Sequence, residues 1–314
     1  MKILFTSIGR RVELVQAFRN AAEKLGVDMI IYGADITESA PALFFCDEYV
    51  EVPRINDPLY IENLKNISKS EHIDAIIPTI DTDLLLLANH KDEFGDTKVI
   101  ISSPEKISIC RDKNYTSDYF ISLGLNSPKA ISDCSKYNLG YPAFIKPKDG
   151  SSSIFAYKVS SEEELKQFAE RVPDYVIQPF IDGTEYTIDA FCDFDGNPIL
   201  ITPRIRLAVR AGEVLKTKIS QDDTIIEEMK KIISDFKPCG QITVQLIREK
   251  QTGKDYYIEI NPRFGGGAPL SIKAGADSAE MLIKLIRGER LSYIEKAAED
   301  GAVYSRFDQS VRVE

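Results

Sequence analysis

Histidine is almost missing from this 314-residue chain; His72 and His90 are the only two. That leaves no material for a histidine-ligated metal cluster and argues against a Ser/His/Asp triad. His72 precedes an apolar strand and His90 follows a leucine-rich helix, so both read as surface or packing residues. Cys46, Cys110, Cys134, Cys192 and Cys239 are scattered, odd in number and never spaced Cys-x-x-Cys, so neither a disulfide framework nor a zinc site follows. No apolar run approaches membrane-spanning length, and no charged-then-apolar leader precedes the first strand, so the expected location is the reducing cytoplasm. Positive charge is in deficit too. A net charge of −10 argues against a broad nucleic-acid or anionic-membrane surface, though it permits a local basic pocket.

What is present begins with strands and helices in alternation. Residues 2–7 form an apolar strand, Gly9 turns it, and residues 10–25 carry helical periodicity through Val12, Val15, Phe18 and Ala22. Strands at 27–35, 48–53, 75–78 and 98–102 and helices at 59–70 and 84–90 complete the pattern of a Rossmann-like parallel sheet covered on both faces. Gly-x-Gly-x-x-Gly is absent, only Gly9 remaining, so the pyrophosphate cradle of a nicotinamide enzyme is missing. Asp35 reads as a cap or loop residue, or as a ribose partner. Asp81 and Asp83 stand at a strand-to-helix junction where α/β proteins place ligands, and helix capping explains Asp83 equally well. A domain boundary is expected near residue 110, giving residues 1–110 and 111–314.

The second part centres on residues 259–267, Glu-Ile-Asn-Pro-Arg-Phe-Gly-Gly-Gly, which close a strand. Residues two apart on a strand share a face, so Glu259 and Asn261 point the same way. Residues 241–249 read as the preceding strand and 251–253 as a three-residue hairpin loop; a turn centred on Thr252 puts Gln245 opposite Glu259. One carboxylate and two amides on one face suit a hard cation that keeps waters and takes its other ligands from phosphates. Arg263 adds a positive charge beyond them. Upstream, Lys146 ends an apolar strand, where an unpaired ammonium is costly to bury, so a carboxylate or phosphate should be close. Gly150-Ser151-Ser152-Ser153 suits either a phosphate-binding loop or a plain hairpin. Residues 175–181 form a strand broken at Pro179, leaving a backbone edge for a flat heterocycle. Arg204, Arg206, Arg210, Lys216 and Lys218, five cations in fifteen positions, suggest an anion site, with Arg206 and Lys218 taken as nucleotide contacts. A helix at 225–236, another at 276–288 covering the hairpin, and a last strand at 302–307 finish the chain.

Together these residues resemble the ATP-grasp superfamily, nearest to one ATP-binding half of carbamoyl-phosphate synthase large subunits and to small stand-alone ligases of that type. The resemblance implies a pre-ATP-grasp α/β domain followed by an α+β ATP-grasp domain, whose two lobes, roughly 111–178 and 179–314, clasp ATP. It implies that Lys113 and Lys146 touch ATP phosphates under a flap at Gly150, Ser151, Ser152 and Ser153. Gln178, Pro179, Phe180 and Ile181 match the hinge that reads adenine, and Glu185 the acid on the ribose. Gln245, Glu259 and Asn261 match the Mg²⁺ ligands, with Mn²⁺ as an alternative ion, and Arg263 faces the transferred phosphate.

The implied chemistry is ATP-dependent activation of a small carboxylate as an acyl phosphate, then attack by an amine or other nucleophile, with Arg263, Lys146 and Asn261 as the catalytic set. The chain carries one ATP-binding half, not two, so carbamoyl-phosphate synthesis by this chain alone is not implied. Expected partners are ATP and small substrates, with a homo-oligomer allowed and neither nucleic acid nor membrane. A nucleotide-binding subunit without chemistry and a nicotinamide-dependent oxidoreductase are the alternatives.

Overall fold

The computed structural model describes residues 1–149 and 155–313. Its first sheet is parallel, with β1 (Lys2–Thr6), β2 (Ile30–Asp35), β3 (Glu48–Glu51), β4 (Ala75–Pro78) and β5 (Lys98–Val99) in the order β3-β2-β1-β4-β5. Helices α1 (Val12–Lys24), α2 (Tyr60–Ser70) and α3 (Leu84–His90) connect the strands. Both faces are covered, as the unbroken apolar run of β1 requires: Ile3, Leu4 and Phe5 are all fully buried. Phe5 meets Phe18 of α1 edge to face at 5.1 Å.

The first helix starts at Val12 rather than residue 10, because Ser7 and Gly9 hold φ of 51° and 47° and make a loop instead. Asp35 Oδ2 accepts the Gly9 N–H at 2.9 Å and ties that loop down. Asp83 precedes α3 without capping it. Its Oδ2 instead accepts from the Thr6 hydroxyl at 2.9 Å and the Tyr60 hydroxyl at 3.3 Å, and burial pushes the carboxyl up to about 6. β1 and β4 are neighbours at the point where strand order reverses, so the loops after them, carrying Arg11 and Asp81, flank the crevice where such sheets hold ligands.

Helices α4 (Pro104–Arg111) and α5 (Lys113–Ser122) lead to an antiparallel sheet of β6 (Ala143–Pro147), β7 (Tyr157–Val159) and β8 (Tyr175–Pro179), ordered β7-β6-β8. Helix α6 (Glu162–Ala169) packs on it; Ser161 caps it by accepting the Glu164 N–H at 3.3 Å, while Glu164 reaches back to the Ser160 N–H at 2.7 Å. The Gly150–Ser153 loop lies outside the described residues.

The large antiparallel sheet runs β13-β12-β9-β10-β11-β14, built from β9 (Gly183–Cys192), β10 (Pro198–Arg210), β11 (Glu213–Ile219), β12 (Gly240–Glu249), β13 (Asp255–Asn261) and β14 (Val303–Ser305). Helix α7 (Asp223–Phe236) lays Ile225, Met229, Ile233 and Phe236 against Ile188, Val244, Leu246, Tyr257 and Ile260 on one face of it. The helix expected to cover the hairpin, α9 (Ser278–Ile286), does not. Nearly every residue of α9 is buried, so it needs apolar neighbours all round. It finds them with α8 (Ala268–Lys273) in the core of Phe5, Val15 and Phe18, which Phe264 joins at 5.8 Å from the Phe18 ring. That core is therefore continuous across residue 110.

Candidate active site

The face of the large sheet away from α7 is polar. Directly opposed residues on neighbouring strands share a face, so one row runs Arg204, Thr187, Gln245, Glu259 and the next Thr202, Asp189, Thr243, Asn261. Gln245 does pair with Glu259, but by a different route from the expected one. The connection between β12 and β13 spans five residues, and pairing beside it is Arg248 to Asp255. A bulge then inserts Ile258, so that Leu246 faces Tyr257 and Gln245 faces Glu259. In a regular strand Tyr257 and Glu259 would share a face. The bulge separates them, sending Tyr257 into the α7 core and Glu259 toward the polar groove.

Glu259 Oε1 accepts from Gln245 Nε2 at 2.5 Å and from Asn261 Nδ2 at 3.0 Å. Gln245 Oε1 in turn accepts from Arg206 Nη1 at 2.5 Å, and Arg206 Nη2 donates to Gly212 O at 2.9 Å. Glu185 Oε2 stands 3.4 Å from Arg206 Nε, with its side chain about half exposed. From the small sheet comes Lys146, whose ammonium burial pulls down to about 8; Glu259 opposes that shift and Lys113 adds to it. Lys113, also lowered by burial, donates to Lys148 O at 3.2 Å. Arg263 Nη2 meets Asp81 Oδ2 of the first sheet at 2.6 Å. Lys146 from the small sheet, Arg206 from the large sheet and Lys113 from α5 thus all feel one carboxylate, the anion partner expected for Lys146.

Fitted to a hard cation, the donor set is one carboxylate and two amides already converged on a single point, and rotation of either amide presents its oxygen instead. Among the described residues no group of three or more His, Cys, Asp or Glu is placed to hold a metal ion. A site with a single carboxylate suits an ion whose remaining charge is balanced by ligand phosphates.

A model of the ATP-grasp domain matches residues 110–267, half of the chain. The chain belongs to the ATP-grasp family. Residues 3–101 match a PylC-like N-terminal domain. An N-terminal section of a carbamoyl phosphate synthase large chain from Methanopyrus kandleri is 25% identical over 97% of this chain, which spans 59% of that relative's length. A 3-methyl-D-ornithine–L-lysine ligase from Methanosarcina acetivorans is 25% identical over 91% of this chain and 75% of its own length. In fold, the chain is similar to the MgADP-bound biotin carboxylase domain of the Hydrogenobacter thermophilus 2-oxoglutarate carboxylase. The TM-score is 0.76 at 18% identity, covering 96% of this chain and 73% of that one.

Not every residue singled out from the sequence joins the ATP-grasp groove. Lys218 pairs with Ile205, which packs in the α7 core, whereas Arg206 pairs with Thr217; Lys218 is therefore on the opposite face and exposed. Arg210 is taken by Asp308 at 3.0 Å, and Arg204 is buried against Asp189 at 2.8 Å, so the five cations make no common anion site. At the expected hinge, Gln178 spends its side chain on Pro128 O at 2.7 Å and the Phe180 N–H goes to Pro142 O at 3.0 Å. The outer edge of β8 is partly closed as well, because Ile177 bridges to Ile131. Asp189 and Thr243 also lie on this face, and the alternation Glu185-Tyr-Thr187-Ile-Asp189 carries the signal for the first of them.

Asp189 is the hub beneath the glycine run, accepting also from Ser271 Oγ at 2.7 Å and Thr243 Oγ1 at 3.2 Å. A Cβ on Gly267 would lie 2.4 Å from Arg204 Nη2 and 2.8 Å from Val214 Cγ1. Gly267→Ala is expected to destabilise the protein by roughly 2–3 kcal/mol, since Arg204 is fully packed and cannot yield; a denaturant midpoint equal to wild type refutes the packing argument.

Lys146 supplies a pH test. Its folded value near 8 lies below the unfolded value near 10.5, so the unfolded chain binds more protons between the two. Its contribution is destabilising below pH of about 8 and is relieved as pH rises toward 10.5. Lys146→Met should therefore stabilise the nucleotide-free protein at pH 7 by roughly 3 kcal/mol, and the gap should close on raising the pH. Urea melts of both proteins at several pH values measure it; a pH-independent difference contradicts the assignment.

Proposed function

We propose that the chain is an ADP-forming, Mg²⁺-dependent ligase that activates a small carboxylate as an acyl phosphate for attack by an amine or other nucleophile. In this reading residues 1–110 serve mainly the substrates and 111–314 the nucleotide. The observation that carries it is the convergence of Lys113, Lys146 and Arg206 around Glu259 and its two amides, with Arg263 two residues beyond Asn261. Membership of the ATP-grasp family and the likeness to a lysine ligase and a carbamoyl phosphate synthase section support the reaction class.

Gln245, Glu259 and Asn261 would hold the Mg²⁺, or Mn²⁺ in its place, which when bound offsets phosphate charge. Lys113 and Lys146 hold the phosphate oxygens, and the backbone at residues 178–181 together with Glu185 positions the nucleoside. A substrate carboxylate oxygen bonds to the γ-phosphorus while the bond to the ADP oxygen breaks; Arg263 stabilises the charge passing between them. The nucleophile then displaces phosphate from the acyl carbon. Charge and positioning supply the rate, so no nucleophilic side chain is needed. The reaction is a cytoplasmic one on small molecules, away from nucleic acid and membrane, and the chain is suited to a homo-oligomer. A screen for ADP release against pooled carboxylates and amines tests this. MgADP binding with no ADP release under any pool favours a nucleotide-binding subunit, and an NADH titration that quenches or enhances fluorescence favours an oxidoreductase.

A further inference from the structure

Where β1 and β4 part, the first sheet turns a second set of charges toward Arg263. The guanidinium of Arg11 makes its hydrogen bond to Thr79 O, at 3.1 Å. Among the described residues no carboxylate stands within ion-pair distance of it. It is half-buried, and burial first, then the like charge of Arg263, pull its pKa down to about 10, while Glu213 and Asp81 oppose the shift. Gly266 lets the backbone pass close to it: a Cβ there would sit 2.9 Å from Arg11 Nη1 and 3.3 Å from Glu213 Oε1. A guanidinium withdrawn from water beside another cation is costly to keep without an anion.

Asp81 has the opposite need. Its Oδ2 is spent on Arg263, but its Oδ1 is buried without a hydrogen-bond partner, as is Arg263 Nε. The corner is fixed in place by Thr79 Oγ1, which donates to Ser7 O at 2.8 Å, and by the buried Asp83 beneath it. A plain anion would satisfy Arg11 but leave Asp81 Oδ1 unmet, whereas Glu213 is already paired with Arg306 at 3.1 Å. A plain amine would satisfy Asp81 but face three arginines, Arg11, Arg263 and Arg306. A molecule carrying both charges on neighbouring atoms satisfies all of them.

We propose that this corner seats an α-amino acid, its carboxylate on Arg11 and directed to Arg263, its ammonium on Asp81 Oδ1. The inference rests on the ligase reading, because it makes the amino acid the carboxylate that is activated at Arg263.

The test is thermal unfolding of the full chain with MgADP, with each common amino acid, and with the matching 2-hydroxy acids and decarboxylated amines at equal ionic strength. At a hundredfold excess over its dissociation constant, at least one amino acid should raise the wild-type Tm by about 5 °C, and its two analogues should not. Arg11→Met and Asp81→Asn should each lose that increment while keeping the one from MgADP; Arg11→Lys, which retains charge but not the fork, should keep part of it. Equal shifts from an amino acid and its 2-hydroxy analogue overturn the proposal, as does an amino-acid increment that survives in Arg11→Met, or none in the wild type. Absence of the MgADP increment in the wild type instead sinks the nucleotide reading beneath it.

Discussion

Replacing Glu259 by Gln lowers ADP formation by about 10³-fold or more while leaving the melting temperature within about 3 °C of wild type. The substitution keeps shape and an acceptor oxygen, so the donors from Gln245 and Asn261 are still met. What it removes is the single negative charge that Lys113 and Lys146 both feel. The decisive readout is binding rather than turnover. ADP should bind wild type more tightly when Mg²⁺ is added, and that gain should vanish in Glu259→Gln; an undiminished Mg²⁺ gain means the ion is held elsewhere.

Arg263→Met should lower kcat by about 10³-fold or more, the scale at which an arginine placed on a transferring phosphoryl group acts, with ATP affinity changed by less than about threefold. It also strips Asp81 of its partner, and a half-buried carboxylate left alone costs about 1–3 kcal/mol. These two effects separate in Arg263→Lys, which restores charge to Asp81 but not the planar fork. Stability should return and kcat should not. A kcat within tenfold of wild type in either variant removes Arg263 from the chemistry and leaves it as a tie between the two sheets.

The pairing of Gln245 with Glu259 was legible in the sequence, but not through the turn that suggested it. Counting outward from Thr252 set Gln245 against Glu259, yet the hairpin turns over five residues and the pairing near it is offset by one. Ile258 makes up the difference. A bulge has no residue code of its own, and a polar residue at each of two spaced positions looks the same with or without it. Lys218 shows the converse failure. Alternation along β11 separates two sets of side chains but cannot say which faces the polar groove, and pairing with Ile205 sends Lys218 to the other side. The packing of α9 was misjudged similarly: its apolar residues foretold burial, not against which core.

The sequence by itself determined the parallel-then-antiparallel order of elements, the family, and the identity of the groups converging on Glu259, because local periodicity and short spacings are written within a few residues of one another. Tertiary structure alone decided that Arg263 meets Asp81, 182 positions away, and that Arg11 lies against Gly266. Charges so far apart in the chain become neighbours only when a shared apolar core, with Phe18 against Phe264, draws the two sheets together. That packing is set by shape and burial, for which no short motif exists.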